Sequence, residues 1–147
     1  MLVICRGIIG AEGLKKALGT PEGRAMADSM PRPFREGLEA FLAREYTEEG
    51  EGISLSFGLM QALWMLAEKE GCGLLLSREA MRPSQYVIEC CERLGLDPYR
   101  LPGKGRLVLK EEAQEGDHIL GRTGAEPVRR IKERDGFRYL VPPERGY

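Results

Sequence analysis

The chain has 147 residues, a length typical of one domain that buries a substantial core. Its 22 Lys and Arg residues balance 23 Asp and Glu residues, so charge gives no reason to expect nucleic acid or an anionic membrane as a partner. No apolar run approaches the roughly 20 residues that span a bilayer, and Arg6 interrupts the N-terminus before a signal peptide could form. We therefore expect a cytoplasmic protein with no membrane partner.

The first third of the chain predicts a short strand and three helices. In chain order these are a strand over 2–5 and helices over 11–18, 21–29 and from 33 onward. Gly19 is suited to end the first helix. Thr20 followed by Pro21 is typical of a helix start, where threonine caps the first turn and proline needs no hydrogen bond. The acidic, glycine-containing stretch over 46–52 is predicted to be a loop.

The rest of the chain alternates helices and strands. The pattern predicts helices over 59–70 and after Pro83, and strands over 73–77, 105–110, 117–121 and 137–141. The helix over 59–70 is apolar on most of its circumference, so we expect it to be buried. This alternation indicates an α/β or α+β fold class, in a single domain over residues 1–147. The basic residues between 122 and 145 are interrupted by acidic ones and are interpreted as a solvated surface.

The four cysteines and the single histidine indicate no metal site. Cys5, Cys72, Cys90 and Cys91 lack CxxC spacing, and a zinc site would have to gather its ligands from distant parts of the chain. We interpret the cysteines as reduced thiols that pack as small core residues. A redox sensor at Cys90 and Cys91 is an alternative that requires a thiol titrating below neutral pH. His118 is interpreted as an ordinary strand histidine rather than a catalytic base.

Three glycines follow the first strand at Gly-x-x-Gly-x-x-Gly spacing: Gly7, Gly10 and Gly13. A glycine-rich turn between a strand and a helix can hold a phosphate, because its backbone N–H groups point at the anion. The spacing matches neither the dinucleotide fingerprint nor a Walker loop, so a purely structural turn is the simpler interpretation. A carboxylate at Glu12 is also unfavourable beside a phosphate.

Three motifs occur in a fixed order along the second half of the chain: ALWMLAE (62–68), ERLGLDPYRL (92–101) and GRLVL (105–109). In order and spacing they resemble the C-terminal domain of the aminoimidazole ribonucleotide (AIR) synthetase-related superfamily, and its HypE-like members in particular. RGIIGAEGLKKAL is similar to the start of the domain, and FRYLVPPERGY to the end of some HypE-like proteins. The resemblance implies a mixed β-sheet packed by helices on one side. In complete relatives this domain and an N-terminal ATP-binding domain form the active cleft.

The chain departs from the family pattern in the loop whose carboxylate organises metal and phosphate in the family. The family's acidic, glycine-rich loop aligns with GISLSFG (52–58), where Ile53 replaces the acidic residue and only Gly58 is retained. The family's N-terminal domain has no counterpart here, and the chain ends in Tyr147 rather than in the cysteine of HypE. The resemblance therefore implies a stand-alone, catalytically inactive domain. Such a domain is expected to act as a homo-oligomer or with an N-terminal-type partner subunit.

The same resemblance implies an alternative function, one subunit of a split ATP-dependent enzyme that binds a phosphate-bearing ligand. In that case Gly7, Gly10, Gly13 and Gly58 would contact phosphate. The chain alone is expected to hold no cofactor and no metal, and Mg-ATP would bind only where a partner supplies the N-terminal domain. No catalytic residue is predicted.

Overall fold

The computed structural model describes residues 1–47 and 49–124, together with the backbone of residues 130–134 and 137–141. The strands are β1 (Leu2–Ile8), β2 (Ile53–Ser54), β3 (Leu74–Leu76), β4 (Lys104–Lys110), β5 (His118–Thr123), β6 (Arg130–Arg134) and β7 (Phe137–Val141). The α-helices are α1 (Ala11–Leu18), α2 (Pro21–Ser29), α3 (Arg32–Leu42), α4 (Leu59–Glu70) and α5 (Gln85–Leu94). No helix of the described ranges is both long and apolar enough to cross a bilayer.

Five of the strands form one sheet in the order β2-β4-β1-β5-β3, and β6 pairs with β7 in a separate hairpin. The α+β fold class is therefore confirmed. All four pairings in the five-stranded sheet are antiparallel, which corrects the expectation of a mixed sheet. The reason is the central position of β1. Strands β4 and β5 run in the same direction, but β1 lies between them and is antiparallel to both.

Local capping sets the helix ends as the sequence predicts. The N–H of Gly23 donates to Thr20 Oγ1 at 3.1 Å, and Pro21 begins α2. Gly71 and Gly95 end α4 and α5 in the left-handed conformation, with φ of 65° and 69°. Glycine adopts this conformation without the steric cost of a Cβ, so the helices stop there.

Alternation along β1 gives the sheet an inner face that packs against α4. Val3 and Cys5 lie opposite Leu109 and Leu107 of β4, and all four belong to or pack against one apolar cluster. Helix α4 contributes six buried residues, namely Leu59, Met60, Ala62, Leu63, Leu66 and Ala67. The prediction that this helix is buried is therefore confirmed.

A second apolar cluster joins α1, α2, α3 and α5 around Ile8, at the end of β1. Its fully buried members are Ala11, Leu14, Val87 and Cys90. The aromatic ring of Tyr86 contacts two rings of α3, with centroid distances of 5.3 Å to Phe34 and 5.6 Å to Phe41. Tyr46, in the chain after α3, packs against this cluster and also lines the candidate site described below.

Three backbone features differ from the sequence expectation. β1 continues to Ile8, so Gly7 lies within a strand and not in the turn after it. β2 and β6 were not predicted. β2 has only two residues, and its pairing with β4 rather than any local pattern defines it.

Candidate functional site

Gly7 and Gly13, two of the glycines predicted to contact phosphate, lie against the chain that leads into β4. A Cβ at Gly7 would lie 1.9 Å from the carbonyl oxygen of Lys104, and one at Gly13 would lie 2.7 Å from Cβ of Leu101. The N–H of Gly13 donates to the carbonyl oxygen of Pro102 at 2.8 Å, so this donor at the start of α1 already has an acceptor. Close packing alone therefore requires glycine at both positions.

Gly10 and Gly58, the other two predicted contacts, approach the same stretch of chain. Their φ angles of 74° and 86° lie in the left-handed region that favours glycine. A Cβ would lie 3.0 Å from the carbonyl oxygen of Pro98 at Gly10, and 2.9 Å from that of Arg100 at Gly58. The structure thus brings the four glycines around residues 98–105. Packing explains why they are glycine, and phosphate contact at them stays a prediction.

A polar cavity of about 450 Å³ lies at the end of the sheet where β1 ends and β5 begins. Its walls come from β1, β4, the turn before β5 and the chain after α3. Of the four predicted glycines, Gly7 is the one that lines it. The charged side chains in its walls include Arg6, Arg106 and Asp117. Arg6 and Arg106 fall within the quoted motifs but are given no role by them, and Asp117 lies outside the motifs.

The ion pair between Arg6 and Asp117 forms one wall of this cavity. Arg6 donates from Nε to Asp117 Oδ1 at 2.9 Å and from Nη2 to Oδ2 at 3.1 Å. The backbone N–H of Gln114 also donates to Oδ2, at 2.8 Å. The hydrogen bonds from Arg6 and Gln114 hold the pKa of Asp117 below its usual range, and the bonds to Asp117 raise the pKa of Arg6. Two-point contact of this kind fixes the arginine in one geometry.

Arg106 lies directly opposite Arg6 in the β1–β4 ladder, so the two guanidinium groups share one face of the sheet. Its Nη1 donates to the carbonyl oxygen of Glu51 at 2.6 Å. Its Nε is buried and has no hydrogen-bond acceptor among the described residues. Gly50 lies directly over the guanidinium group, since a Cβ there would lie 2.6 Å from Nη1. A buried donor without an acceptor costs about 1–3 kcal/mol, so this arrangement needs an explanation.

The opposite end of the same sheet face is apolar. Leu2 and Leu75 both lie opposite Arg122 in neighbouring ladders, and Ile119 lies opposite Ile4. Leu75 and Ile119 are 54% and 42% exposed. Together with Leu2 they line an open depression of about 590 Å³, whose lining is mostly apolar but also includes two arginines, one of them Arg122. β3, which carries Leu75, is an edge strand of the described sheet.

We name these two regions of the outer sheet face by their residues. The apolar end consists of Leu2, Leu75 and Ile119, and the charged end consists of Arg6, Arg106 and Asp117. Leu2 and Arg6 lie on the same strand four residues apart, so both point away from the face that packs on α4.

The segment aligned with the family's acidic loop takes part in packing. Ile53 lies opposite Leu107 in the β2–β4 pair and is half-buried against the inner-face cluster. Leu55 is fully buried in the same cluster. Within the ranges that the structure describes, no three His, Cys, Asp or Glu side chains are grouped to hold a metal ion.

The reactive side chains of the described part do not form a catalytic group. His118 lies exposed at the start of β5, with Nε2 in contact with the carbonyl oxygen of Ala80. Burial raises the pKa of Cys5 to about 12 and that of Cys91 to about 11, and it also raises the pKa of Cys90. These thiols are therefore protonated at neutral pH. The redox-sensor alternative, which requires a thiol titrating below neutral pH, is contradicted.

Comparison with curated proteins finds relatives over parts of the chain. The chain is 39% identical over 70 residues to the carbamoyl dehydratase HypE of Rhodobacter capsulatus, covering 48% of this chain and 21% of that protein. It is 32% identical over 79 residues to the carbamoyl dehydratase HypE of Cupriavidus necator, covering 54% of this chain and 22% of that protein. It is 25% identical over 145 residues to a putative hydrogenase expression/formation protein of Methanocaldococcus jannaschii, covering 92% of this chain and 41% of that protein.

The chain thus spans between 21% and 41% of the length of these relatives. No protein-family model matches the sequence, and no solved structure matches it. The similarity to HypE and to a hydrogenase formation protein supports the predicted resemblance to HypE-like proteins, which belong to the AIR synthetase-related superfamily.

Proposed function

We propose that the chain is a catalytically inactive, HypE-like C-terminal domain that acts through association, with the apolar end in contact with a second copy of the chain. The observation that carries this proposal is the exposure of Leu75 and Ile119 beside Leu2 on one sheet face. Contiguous exposed apolar surface on a soluble domain marks an interface more often than a solvated surface.

The backbone at the apolar end supports the same proposal. β3 pairs with β5 on one side and is an edge strand of the described sheet. An edge strand presents N–H and C=O groups that another strand can pair with. Two copies that meet along β3 would bury Leu75 and, in one contact, pair the edge that has no partner strand in the described sheet.

The described residues near the aligned phosphate loop support the lack of activity. Catalysis of phosphoryl transfer depends on positioning and on charged groups aimed at the phosphate. Ile53 occupies the position of the family's acidic residue and packs against the core instead. The domain is therefore proposed to bind no cofactor of its own.

Light scattering during size-exclusion chromatography, combined with an ATP-hydrolysis assay, tests this proposal. We expect a dimer without turnover, and a monomer for the Leu75→Asp variant. Phe57→Asp is the matched control, because Phe57 is also 54% exposed but lies on the 3₁₀ turn before α4. ATP turnover by the chain alone would contradict the inactive assignment. The native chain could instead be a monomer that binds a separate N-terminal-type subunit, with this binding lost in Leu75→Asp. That result would make the separate subunit, and not a second copy, the partner at the apolar end.

A second candidate function is one subunit of a split ATP-dependent enzyme, and the similarity to carbamoyl dehydratase HypE favours it. In that function Gly7, Gly10, Gly13 and Gly58 contact a phosphate, and Mg-ATP binds once a partner supplies the N-terminal domain. Calorimetric titration with Mg-ATP, with and without a candidate partner subunit, tests this function. Absence of binding in both titrations would contradict it.

A further inference from the structure

We infer that the charged end is a binding site for the carboxylate group of a small ligand, and that Arg106 is the residue that binds it. This inference goes beyond association and does not depend on it, because the charged end and the apolar end are separate regions of the sheet face. Neither the motifs nor the relatives assign a role to Arg106 or to its cavity.

The guanidinium group of Arg106 is only partly satisfied by hydrogen bonds within the described chain. Arg106 lines the polar cavity, and its buried Nε has no acceptor among the described residues. A native chain keeps a buried, unpaired donor only where something compensates for its cost. A carboxylate can accept two parallel hydrogen bonds from one guanidinium group, as Asp117 does with Arg6 in the same cavity. Arg106 has no such partner.

Two cations near Arg106 on this face are paired with carboxylates. Arg6 holds Asp117, and Lys110 Nζ contacts Glu51. Arg106 lies opposite Arg6, and no ion pair joins it to a described acidic residue. Arg106 therefore has no described carboxylate bound to its guanidinium group, and like charges on opposite positions of a ladder are destabilising. A carboxylate bound to Arg106 would offset its repulsion with Arg6.

Two acidic side chains that line the cavity favour an anion with one negative charge over an anion with two. Glu45 and Glu115 also line it, and both are exposed. Their charges are screened by solvent but still disfavour a group with two negative charges, such as a phosphate monoester at neutral pH. The planar carboxylate carries one charge and fits the guanidinium geometry. A volume of about 450 Å³ is in the range of sites for small molecules.

The direct test is a nuclear magnetic resonance titration of the full chain with acetate, and separately with inorganic phosphate at equal ionic strength. We expect the Nε–H resonance of Arg106 and the amide resonance of Gly7 to shift saturably with acetate, and more weakly with phosphate. Loss of charged hydrogen bonds should make the Arg106→Gln variant bind acetate about tenfold more weakly, followed at Gly7. Arg122→Gln, which removes a cation at the other end of the same face, should stay within about twofold of the native affinity.

Two controls distinguish loss of this binding site from loss of folding and from loss of association. A thermal unfolding scan should show that Arg106→Gln still folds cooperatively, because the hydrogen bond lost to the carbonyl oxygen of Glu51 is offset by removal of the buried, unsatisfied Nε. The Leu75→Asp variant should bind acetate like the native chain, so failure of association does not imitate failure of this site. The inference is overturned if acetate gives no saturable shift, or if Arg106→Gln binds as the native chain does. Tighter binding of phosphate than of acetate would overturn the assignment to a carboxylate.

Discussion

The two ends of the outer sheet face differ in how their side chains are satisfied. At the charged end, Asp117 accepts three hydrogen bonds and its side chain is 6% exposed, whereas the buried Nε of Arg106 has no acceptor among the described residues. At the apolar end, Leu75 and Ile119 are 54% and 42% exposed. The charged end thus holds a fixed ion pair beside an arginine that is only partly satisfied, which is why we place a small anionic ligand there. The apolar end exposes leucine and isoleucine side chains, which is why we propose association there.

One strand produces both ends. Along β1 the side chains of Leu2, Ile4 and Arg6 point to the outer face, while Val3 and Cys5 point to α4. The change from leucine to arginine along one face therefore separates a surface suited to association from a surface suited to a small charged ligand. Substitutions at either end should have effects that do not spread to the other.

The largest effect is expected at Gly7, which joins the charged end to its neighbouring strand. Gly7→Ala should lower the free energy of unfolding by about 3 kcal/mol or more, because the new Cβ overlaps the carbonyl oxygen of Lys104. Gly71→Ala is the control, since nothing lies within 4 Å of a Cβ there. It should cost about 1 kcal/mol, from its positive φ alone. Urea unfolding measures both, and equal losses would show that packing is not what requires glycine at Gly7.

At the apolar end, truncation of Leu74 should destabilise the fold much more than truncation of Leu75. The two leucines are neighbours on β3, but Leu74 is 6% exposed in the inner-face cluster. Leu74→Ala should cost about 2–4 kcal/mol in free energy of unfolding. Leu75→Ala should change it by about 0.5 kcal/mol or less. Unfolding must be measured at a concentration where the chain is monomeric, and similar losses at both positions would mean that Leu75 is covered within one chain.

A smaller, pH-dependent effect is expected from Asp117→Asn. At neutral pH the substitution should lower the free energy of unfolding by about 1–3 kcal/mol, because Arg6 loses a charged partner. The folded pKa of Asp117 lies below its unfolded value of about 3.9, since Arg6 and the N–H of Gln114 bond the charged form. The stabilisation is therefore complete above that unfolded value and is lost as pH falls through the folded pKa.

Chemical unfolding of the native chain and the Asp117→Asn variant between neutral and strongly acid pH measures this effect. The difference between them should shrink in the acid range. Asp28→Asn, at an exposed position on α2, serves as the control and should show no such trend. A difference that is constant over the whole range would contradict the proposed role of the ionised carboxylate.

Local signals explain how much of the fold was predictable from the sequence. The cap at Thr20 and the periodicity over 59–70 involve residues close in sequence, and the predicted helix over 59–70 matches α4. The charged end was not predictable, because Arg6 and Asp117 lie 111 residues apart and no spacing rule relates them. The position of Gly7 in a strand was missed for the same reason. Its ladder depends on Gly105, far along the chain.

The most direct test of the account is the mass of the native chain and of Leu75→Asp in solution, measured by light scattering over a range of concentrations. We expect twice the mass of one chain for the native protein and for Phe57→Asp, and the mass of one chain for Leu75→Asp. A native chain that stays monomeric at every concentration, with a mass equal to that of Leu75→Asp, would contradict the claim that the apolar end joins two copies.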